Sequence, residues 1–269
     1  MFKRSGIHKT LLLLVMTSSV ITAHCQHDSL SDTFENKTIR EKIETLLDIS
    51  KKQWYTDPAS GITSARQALL LIHQIQDDTL KAQAINQLGA SHYFLDNHDS
   101  AIYFMKQSLQ LSKVTDYNRG IGKAANNLGL VFDYLSDYDR AMHYYFMALN
   151  AEEKIKDKSG IAGTYLNIAN VYYYLEKFDK AIEYMTNSLG LYRELNDSLG
   201  ILRCYTNIGT AYSDIGILEN AITYSQEALT LSRQMNNKNL EAANLNNIGK
   251  IYFNRVEFEK SIDFYNRAL

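Results

Sequence analysis

Residues 126–149 read NNLGLVFDYLSDYDRAMHYYFMAL, and the same pattern returns four more times along the chain at intervals of 40 residues. The other copies lie at 86–109, 166–189, 206–229 and 246–269. One leucine position marks the register: Leu69, Leu109, Leu149, Leu189, Leu229 and Leu269. Because the leucine series begins one period before the clear copies, we expect a sixth, degenerate unit there. A fixed period of this length is typical of a solenoid, in which each unit packs only on its neighbours.

Within each unit, apolar residues recur with the spacing of two amphipathic helices. In the copy quoted above, Ala125, Leu128 and Phe132 fall on one helical face, and a second such face follows after residue 140. The segment between them is so short that the two helices must be antiparallel, and Asp137 can cap the second one. A small residue recurs in the first helix: Gly89, Gly129, Ala169, Gly209 and Gly249. We expect these positions to let the paired helix approach closely.

Composition and charge exclude several classes of protein. An apolar content of 45% over 269 residues is enough for a large core. The net charge is −2, from 28 basic and 30 acidic residues that are mixed along the chain, so we expect no nucleic-acid partner for this region. The two cysteines, Cys25 and Cys204, are too few for a disulfide framework or a metal cage. We expect Cys204 to be a buried, small apolar residue.

The repeated pattern is Leu/Ile-Gly-x-x-Tyr, then Tyr/Phe-x-x-Ala, then Tyr-x-x-Ala-Leu, and it resembles the tetratricopeptide repeat. The resemblance covers five units over residues 81–269, with a fainter copy at 37–80. It implies an all-α fold, a right-handed α-α superhelical solenoid of tetratricopeptide helix pairs. Each unit is longer than the short form of the repeat and lacks the proline that usually ends its second helix, so we expect that helix to be longer than usual.

The long units, joined by turns such as Asp157-Lys158-Ser159-Gly160, look like those of bacterial sensor proteins. In that group an exported repeat array commonly precedes a membrane helix and a kinase or DNA-binding output domain. Leu269 falls inside the second helix of the last unit, with no capping helix after it. We therefore expect a truncated last unit and an output domain beyond it.

The first residues have the features of an export signal. Lys3, Arg4 and Lys9 precede an apolar run at 11–23 that is too short to span a bilayer. The sequence predicts a signal peptide at 1–25, cleaved before Gln26, and a flexible lead-in at 26–36. A lipid on Cys25 and an uncleaved anchor are the alternatives. We expect an exported, periplasmic or otherwise extracytoplasmic protein without direct membrane contact after cleavage, although a missing C-terminal part could tether it to the membrane.

Several segments resemble motifs for catalysis, cofactors or metals, but their positions in the repeat favour structural roles. The segment at 120–125, GIGKAA, imitates a dinucleotide fingerprint, but it lies at a repeat junction with no strand before it. His92 and His98 occupy aromatic positions of the repeat, so structural roles are favoured over metal binding. Glu152 and Glu153 are interpreted as a solvated helix face. The sequence therefore predicts no enzyme, no cofactor and no metal site.

One repeated polar position points to a binding surface. An amide precedes the Leu/Ile-Gly pair, which is Ile-Ala in one unit, in every clear unit: Gln87, Asn127, Asn167, Asn207 and Asn247. In peptide-binding members of the family this position faces the concave groove, where a carboxamide can bond both the C=O and the N–H of an extended backbone. The same resemblance puts five further residues on the inner side: Lys123, Arg203, Tyr134, Tyr173 and Tyr174. Alternatively, the amides bond neighbouring helices, and the tyrosines are packing residues.

Three functions are compatible with these observations. The favoured one is a scaffold that binds a protein or an extended peptide, as the sensory or interaction region of a bacterial signalling protein. A spacer or oligomerisation arm without a ligand is the second. An enzyme with its active site in the groove is the third, and it lacks a nucleophile, base and orienting group at any known spacing.

Overall fold

A computed structural model of the chain describes residue 34 and residues 37–269. The signal peptide predicted at 1–25 lies outside the described residues, as does most of the lead-in predicted at 26–36. Within the described part every regular element is an α-helix, which confirms the all-α solenoid. The helices are α1 (Ile39–Gln53), α2 (Pro58–Ile75), α3 (Asp78–Phe94), α4 (His98–Val114), α5 (Asn118–Tyr134), α6 (Tyr138–Lys154), α7 (Lys158–Tyr174), α8 (Phe178–Glu194), α9 (Ser198–Asp214), α10 (Leu218–Gln234), α11 (Lys238–Asn254) and α12 (Phe258–Ala268).

The 40-residue period follows from a constant helix length. Each helix from α3 to α11 has 17 residues, and three residues join it to the next. Two helices and two junctions therefore make one unit. The two helices of a unit are equally long, so they share the length of the unit equally.

Every junction between helices from α2 onward contains one residue with a positive φ, and these residues recur every 20 positions from 76 to 256. At the junction between α5 and α6, Ser136 adopts a left-handed conformation with φ 57°. Its N–H bonds the carbonyl of Asp133 at 2.8 Å, and the N–H of Asp137 bonds that of Phe132 at 2.8 Å. This is the Schellman arrangement, which satisfies the last carbonyls of a helix. Asp137 then accepts a 3.1 Å hydrogen bond from the N–H of Arg140, which confirms it as the cap of α6.

The core lies between the helices of each pair and between successive pairs. Its largest fully buried side chains include Tyr145, Phe132, Met105 and Ile168. Cys204 is also fully buried, as the sequence predicted. The leucines that mark the register are not equally buried: Leu109, Leu189 and Leu229 are enclosed, Leu69 and Leu149 are half-buried, and Leu269 is exposed. No helix of the described part has the length and apolar character that crossing a membrane requires.

Candidate functional site

The inner surface of the solenoid is built from the first helix of each pair. Successive first helices α1, α3, α5, α7, α9 and α11 contact one another, whereas the second helices mainly contact the first helices beside them. A row of elements is shortest on the inside of a curve, so the first helices form the concave side. The repeated amide position lies on these helices.

A cavity with a volume of about 430 Å³ opens on this surface. That volume is within the usual range for ligand sites, about 300–1,000 Å³. Five residues of the site predicted from the sequence line it: Gln87, Lys123, Asn127, Asn167 and Arg203. Because Lys51 of α1 lines it as well, the cavity spans five successive first helices, α1, α3, α5, α7 and α9.

The other predicted site residues lie further along or outside this cavity. Asn207, Tyr173 and Tyr174 line a neighbouring cavity of about 220 Å³. Asn247 lines a small recess of about 30 Å³ near the end of the array. Tyr134 is 60% exposed, and its ring packs against other aromatic side chains rather than facing either cavity.

Hydrogen bonds join the repeated amides from one unit to the next. Nδ2 of Asn167 donates to Oδ1 of Asn126 at 2.9 Å. One unit earlier, Nδ2 of Asn127 donates to Oδ1 of Asn86 at 3.3 Å. In both cases the acceptor stands one residue before the equivalent position in the preceding unit. Each carboxamide spends one of its two N–H groups in this way, and its Oδ1 and second N–H are available to a ligand.

We call this series of hydrogen bonds between the repeated amides the amide ladder. Its acceptor changes where the sequence changes. The acceptor position before Asn207 is Leu166, which has no polar atom, so Nδ2 of Asn207 donates instead to Asn170 one helical turn later, at 3.3 Å. At the opposite end, Oε1 of Gln87 is buried and accepts no hydrogen bond from the described residues. The amides thus use one N–H each to join units, and their binding of a ligand stays a prediction.

The cavity has an excess of positive charge. Four cationic side chains line it, Lys51, Arg119, Lys123 and Arg203. Within residues 37–269 none of the four forms an ion pair. Burial lowers the pKa of Lys123, and the like charges of Lys51 and Arg119 lower it further. Asp157, which also lines the cavity, partly opposes this fall, but the four cations outnumber the two acidic residues there and so favour the binding of an anion.

Glu152 also lines the cavity, and its predicted exposure was wrong. Only 7% of the residue is exposed, whereas the neighbouring Glu153 is exposed. Its carboxyl group accepts a 2.8 Å hydrogen bond from Oγ1 of Thr164. Burial raises the pKa of Glu152 to about 7, and Asp157 adds to the rise, although the hydrogen bond from Thr164 opposes it.

The residues at the equivalent position of other units indicate that this position is buried. The equivalents of Glu152 in neighbouring units are Ser112, Tyr192 and Ser232, all of which are buried. At three of the four positions, Ser232 excepted, the side chain packs on a glycine in the first turn of the next helix. For Glu152 that glycine is Gly160.

A second polar chain crosses the groove beyond the main cavity. The hydroxyl of Tyr173 donates to Oδ2 of Asp214, and Lys250 lies 3.5 Å from Oδ1 of the same carboxylate. Burial, followed by the interaction with Asp214, raises the pKa of Tyr173 to about 12. Tyr173 therefore helps to join three units, whereas Tyr174 is 61% exposed.

The histidines have packing contacts that fit their repeat positions. His92 stacks on Phe104 with ring centroids 5.3 Å apart, and His98 lies 4.8 Å from the ring of Tyr134. Among residues 37–269 no three His, Cys, Asp or Glu side chains are grouped so that they could hold a metal ion.

The family model of the tetratricopeptide repeat matches residues 62–154 and 160–234 of the chain. No curated protein matches significantly. Three of the solved structures with similar folds illustrate the likeness. BtubC (BKLC) from P. vanneervenii is 16% identical, with 87% of this chain and 90% of that one covered and a TM-score of 0.65. Aspartyl phosphate phosphatase F from Bacillus subtilis is 20% identical, with 89% and 62% covered and a TM-score of 0.66.

The third structure is a Rap protein in complex with competence and sporulation factor. It is 12% identical, with 90% of this chain and 78% of that one covered and a TM-score of 0.69. All three identities are low, so these similarities concern the fold.

Proposed function

Because the chain belongs to the tetratricopeptide-repeat family, we propose that it is a scaffold that binds a protein through an extended, acidic segment on its concave surface. The observation that carries the proposal is the 430 Å³ cavity, in which four cations without ion pairs meet the repeated amides. A groove of this kind suits a ligand whose backbone is unpaired and whose side chains or terminus are anionic.

The amides supply the contacts that do not depend on ligand sequence. Asn127 and Asn167 lie on neighbouring first helices, and each keeps an acceptor and an N–H after bonding the preceding unit. An extended backbone offers alternating C=O and N–H groups that match these atoms. Lys123 and Arg203 would select the acidic group, and Tyr173 and Tyr174 an apolar one in the neighbouring cavity.

The two alternative functions fit the concave surface less well. A spacer needs no excess of cations there, and like charges that converge without ion pairs cost stability. A groove enzyme needs a nucleophile held by a base. Cys204, the one cysteine of the described residues, is buried and its pKa is raised to about 11, so it is a poor nucleophile.

The test uses a hexaglutamate that is N-terminally labelled with tetramethylrhodamine and C-terminally amidated as the probe, with hexaglutamine and hexalysine as charge controls. Wild-type protein should bind hexaglutamate most tightly, and added NaCl should weaken this binding. Lys123→Ala and Arg203→Ala should each weaken it by roughly tenfold or more, if each removes one charged hydrogen bond. Lys106→Ala, on the exposed face of α4, is the matched control and should change nothing. Equal binding of the three peptides would contradict the proposal.

We also propose that this scaffold is the sensory or interaction region of an exported bacterial signalling protein. The support is the sequence pattern at residues 1–25 and the long repeat type. N-terminal sequencing of material from the periplasm or the medium should begin at Gln26. An intact Met1 in the membrane fraction would contradict cleavage.

A further inference from the structure

Glu152 lies in a slot that the repeat backbone leaves open. It stands in the last turn of α6, between α5 and α7. A Cβ on Gly160 would lie 2.8 Å from its carboxyl carbon, and one on Gly122 would lie 3.1 Å from its Cγ. Two glycines on two different helices are therefore needed for this side chain to reach its place in the cavity.

The Glu152 carboxyl has an incomplete set of partners. Its Oε2 accepts the hydrogen bond from Thr164, which is neutral. No hydrogen bond from the described residues reaches its Oε1, and no cation of residues 37–269 forms an ion pair with the group. A buried carboxylate without a counterion is costly, so the neutral acid is favoured. Oε1 is the atom that is available to a ligand in the cavity.

The charged groups around Glu152 come from several elements. Arg119 and Lys123 lie on α5, Lys51 on α1 and Arg203 on α9. Asp157 caps the start of α7. The polar Thr164 of α7 and Tyr192 of α8 complete the surroundings. An anion that is drawn in by the four cations is thus bound in the same cavity as a carboxyl group.

We propose that Glu152 is a proton-linked anchor: it takes up one proton from solvent when an anionic group of the ligand enters the cavity, and its O–H then donates a hydrogen bond to that anion. The inference rests on the proposed function and names a residue and a condition that control it. No other bond is made or broken, since solvent supplies the proton and recovers it on release of the ligand.

Two physical effects give this linkage its sign. An ionised Glu152 repels an anion in its own cavity, whereas a protonated one attracts it. The incoming anion also raises the pKa of Glu152 above its value of about 7 in the empty cavity. Binding is therefore tightest below neutral pH and weakens as the pH rises.

The experiment measures the Kd of the labelled hexaglutamate from pH 6.0 to 8.5, where the charge of this peptide is constant. For one proton and a pKa near 7, Kd should rise about 30-fold over this range. Calorimetry at pH 8 in two buffers of different ionisation enthalpy should detect the uptake of close to one proton per peptide. Glu152→Gln should remove both effects and bind as tightly at pH 8.5 as at pH 6.0.

Two control variants isolate the group. Glu153→Gln, on the adjacent exposed position, should keep the full pH dependence. Lys123→Arg keeps the positive charge but does not titrate in this range, so the slope should survive in it as well. A slope that disappears with Lys123→Arg and persists in Glu152→Gln would assign the effect to the lysine and overturn the inference.

The outcomes separate this inference from the proposed function. A hexaglutamate Kd that is independent of pH overturns the inference alone. Failure of hexaglutamate to bind at every pH overturns both. Tighter binding of hexalysine, lost in Glu152→Gln, would mean that the carboxylate receives a cation, which contradicts both proposals.

Discussion

The side-chain amide of Asn167 donates a 2.9 Å hydrogen bond to Oδ1 of Asn126, one unit earlier in the array. The two residues lie on neighbouring inner helices, α7 and α5, so this bond joins units as well as lining the cavity. The repeated amides therefore contribute to stability and to ligand binding, and the two contributions can be measured separately.

Replacing Asn167 and Asn207 together by alanine should affect both properties. Two bonds between units are lost, to Asn126 and Asn170, each with a net contribution of about 0.5–1.5 kcal/mol. If each amide also makes one bond to the ligand, the Kd should rise about 5- to 150-fold. Urea unfolding and hexaglutamate binding of the folded protein are the measurements. Lower stability with an unchanged Kd would show that the ladder is internal scaffolding only.

Gly129→Ala should destabilise the protein because no space exists for the added methyl group. Its Cβ would lie 2.5 Å from Cδ1 and Cε1 of the Tyr145 ring, which is fully buried and has nowhere to move. The cost of such overpacking, about 1–3 kcal/mol, exceeds the gain in helix propensity of at most about 1 kcal/mol.

Gly190→Ala is the matched control for this variant. Gly190 also lies within a helix, α8, but it is exposed and a Cβ there would meet nothing within 4 Å. The propensity gain should therefore raise its stability by up to about 1 kcal/mol. Equal effects of the two substitutions in urea unfolding would contradict the close approach of α5 and α6.

The fold could be predicted from the sequence because it depends on local spacing that is repeated. The contacts of the site depend on residues from different units, and these were harder to predict. That Asn207 bonds Asn170 follows from the presence of Leu166 where the preceding unit has Asn126. The burial of Glu152 depends on glycines in two other helices, and its own charge points to the opposite conclusion.

The last helix should exchange its amide protons faster than the middle of the array. Helix α12 packs on α11, and Ser261 is its one buried residue. Residues 250–269 should therefore show weaker hydrogen-exchange protection than residues 126–189. Equal protection would mean that a second chain or an additional segment covers this end.

The stability cost of replacing the leucines that mark the register should follow their burial. Leu189, which is 3% exposed, should cost about 2–5 kcal/mol when it is replaced by alanine. Leu269→Ala should stay within about 0.5 kcal/mol of the wild type, because Leu269 is exposed. Leu149 is half-buried, so the effect of its replacement should be intermediate.

Without ligand, Glu152 should make the protein less stable as the pH rises from 5 to 8. The folded-state pKa of this carboxyl is raised from 4.5 to about 7. Between these values the unfolded chain releases the proton while the folded chain keeps it, so the free energy of unfolding falls with increasing pH. Above about pH 7 both states are ionised, and the loss levels off at about 3 kcal/mol or less.

Glu152→Gln does not titrate, so its stability relative to the wild type should increase from pH 5 to pH 8. Urea unfolding at several pH values measures this difference, with Glu153→Gln as the control that should follow the wild type. A constant difference between Glu152→Gln and the wild type would mean that the carboxyl ionises as freely in the folded protein as in water, and that its burial has no electrostatic cost.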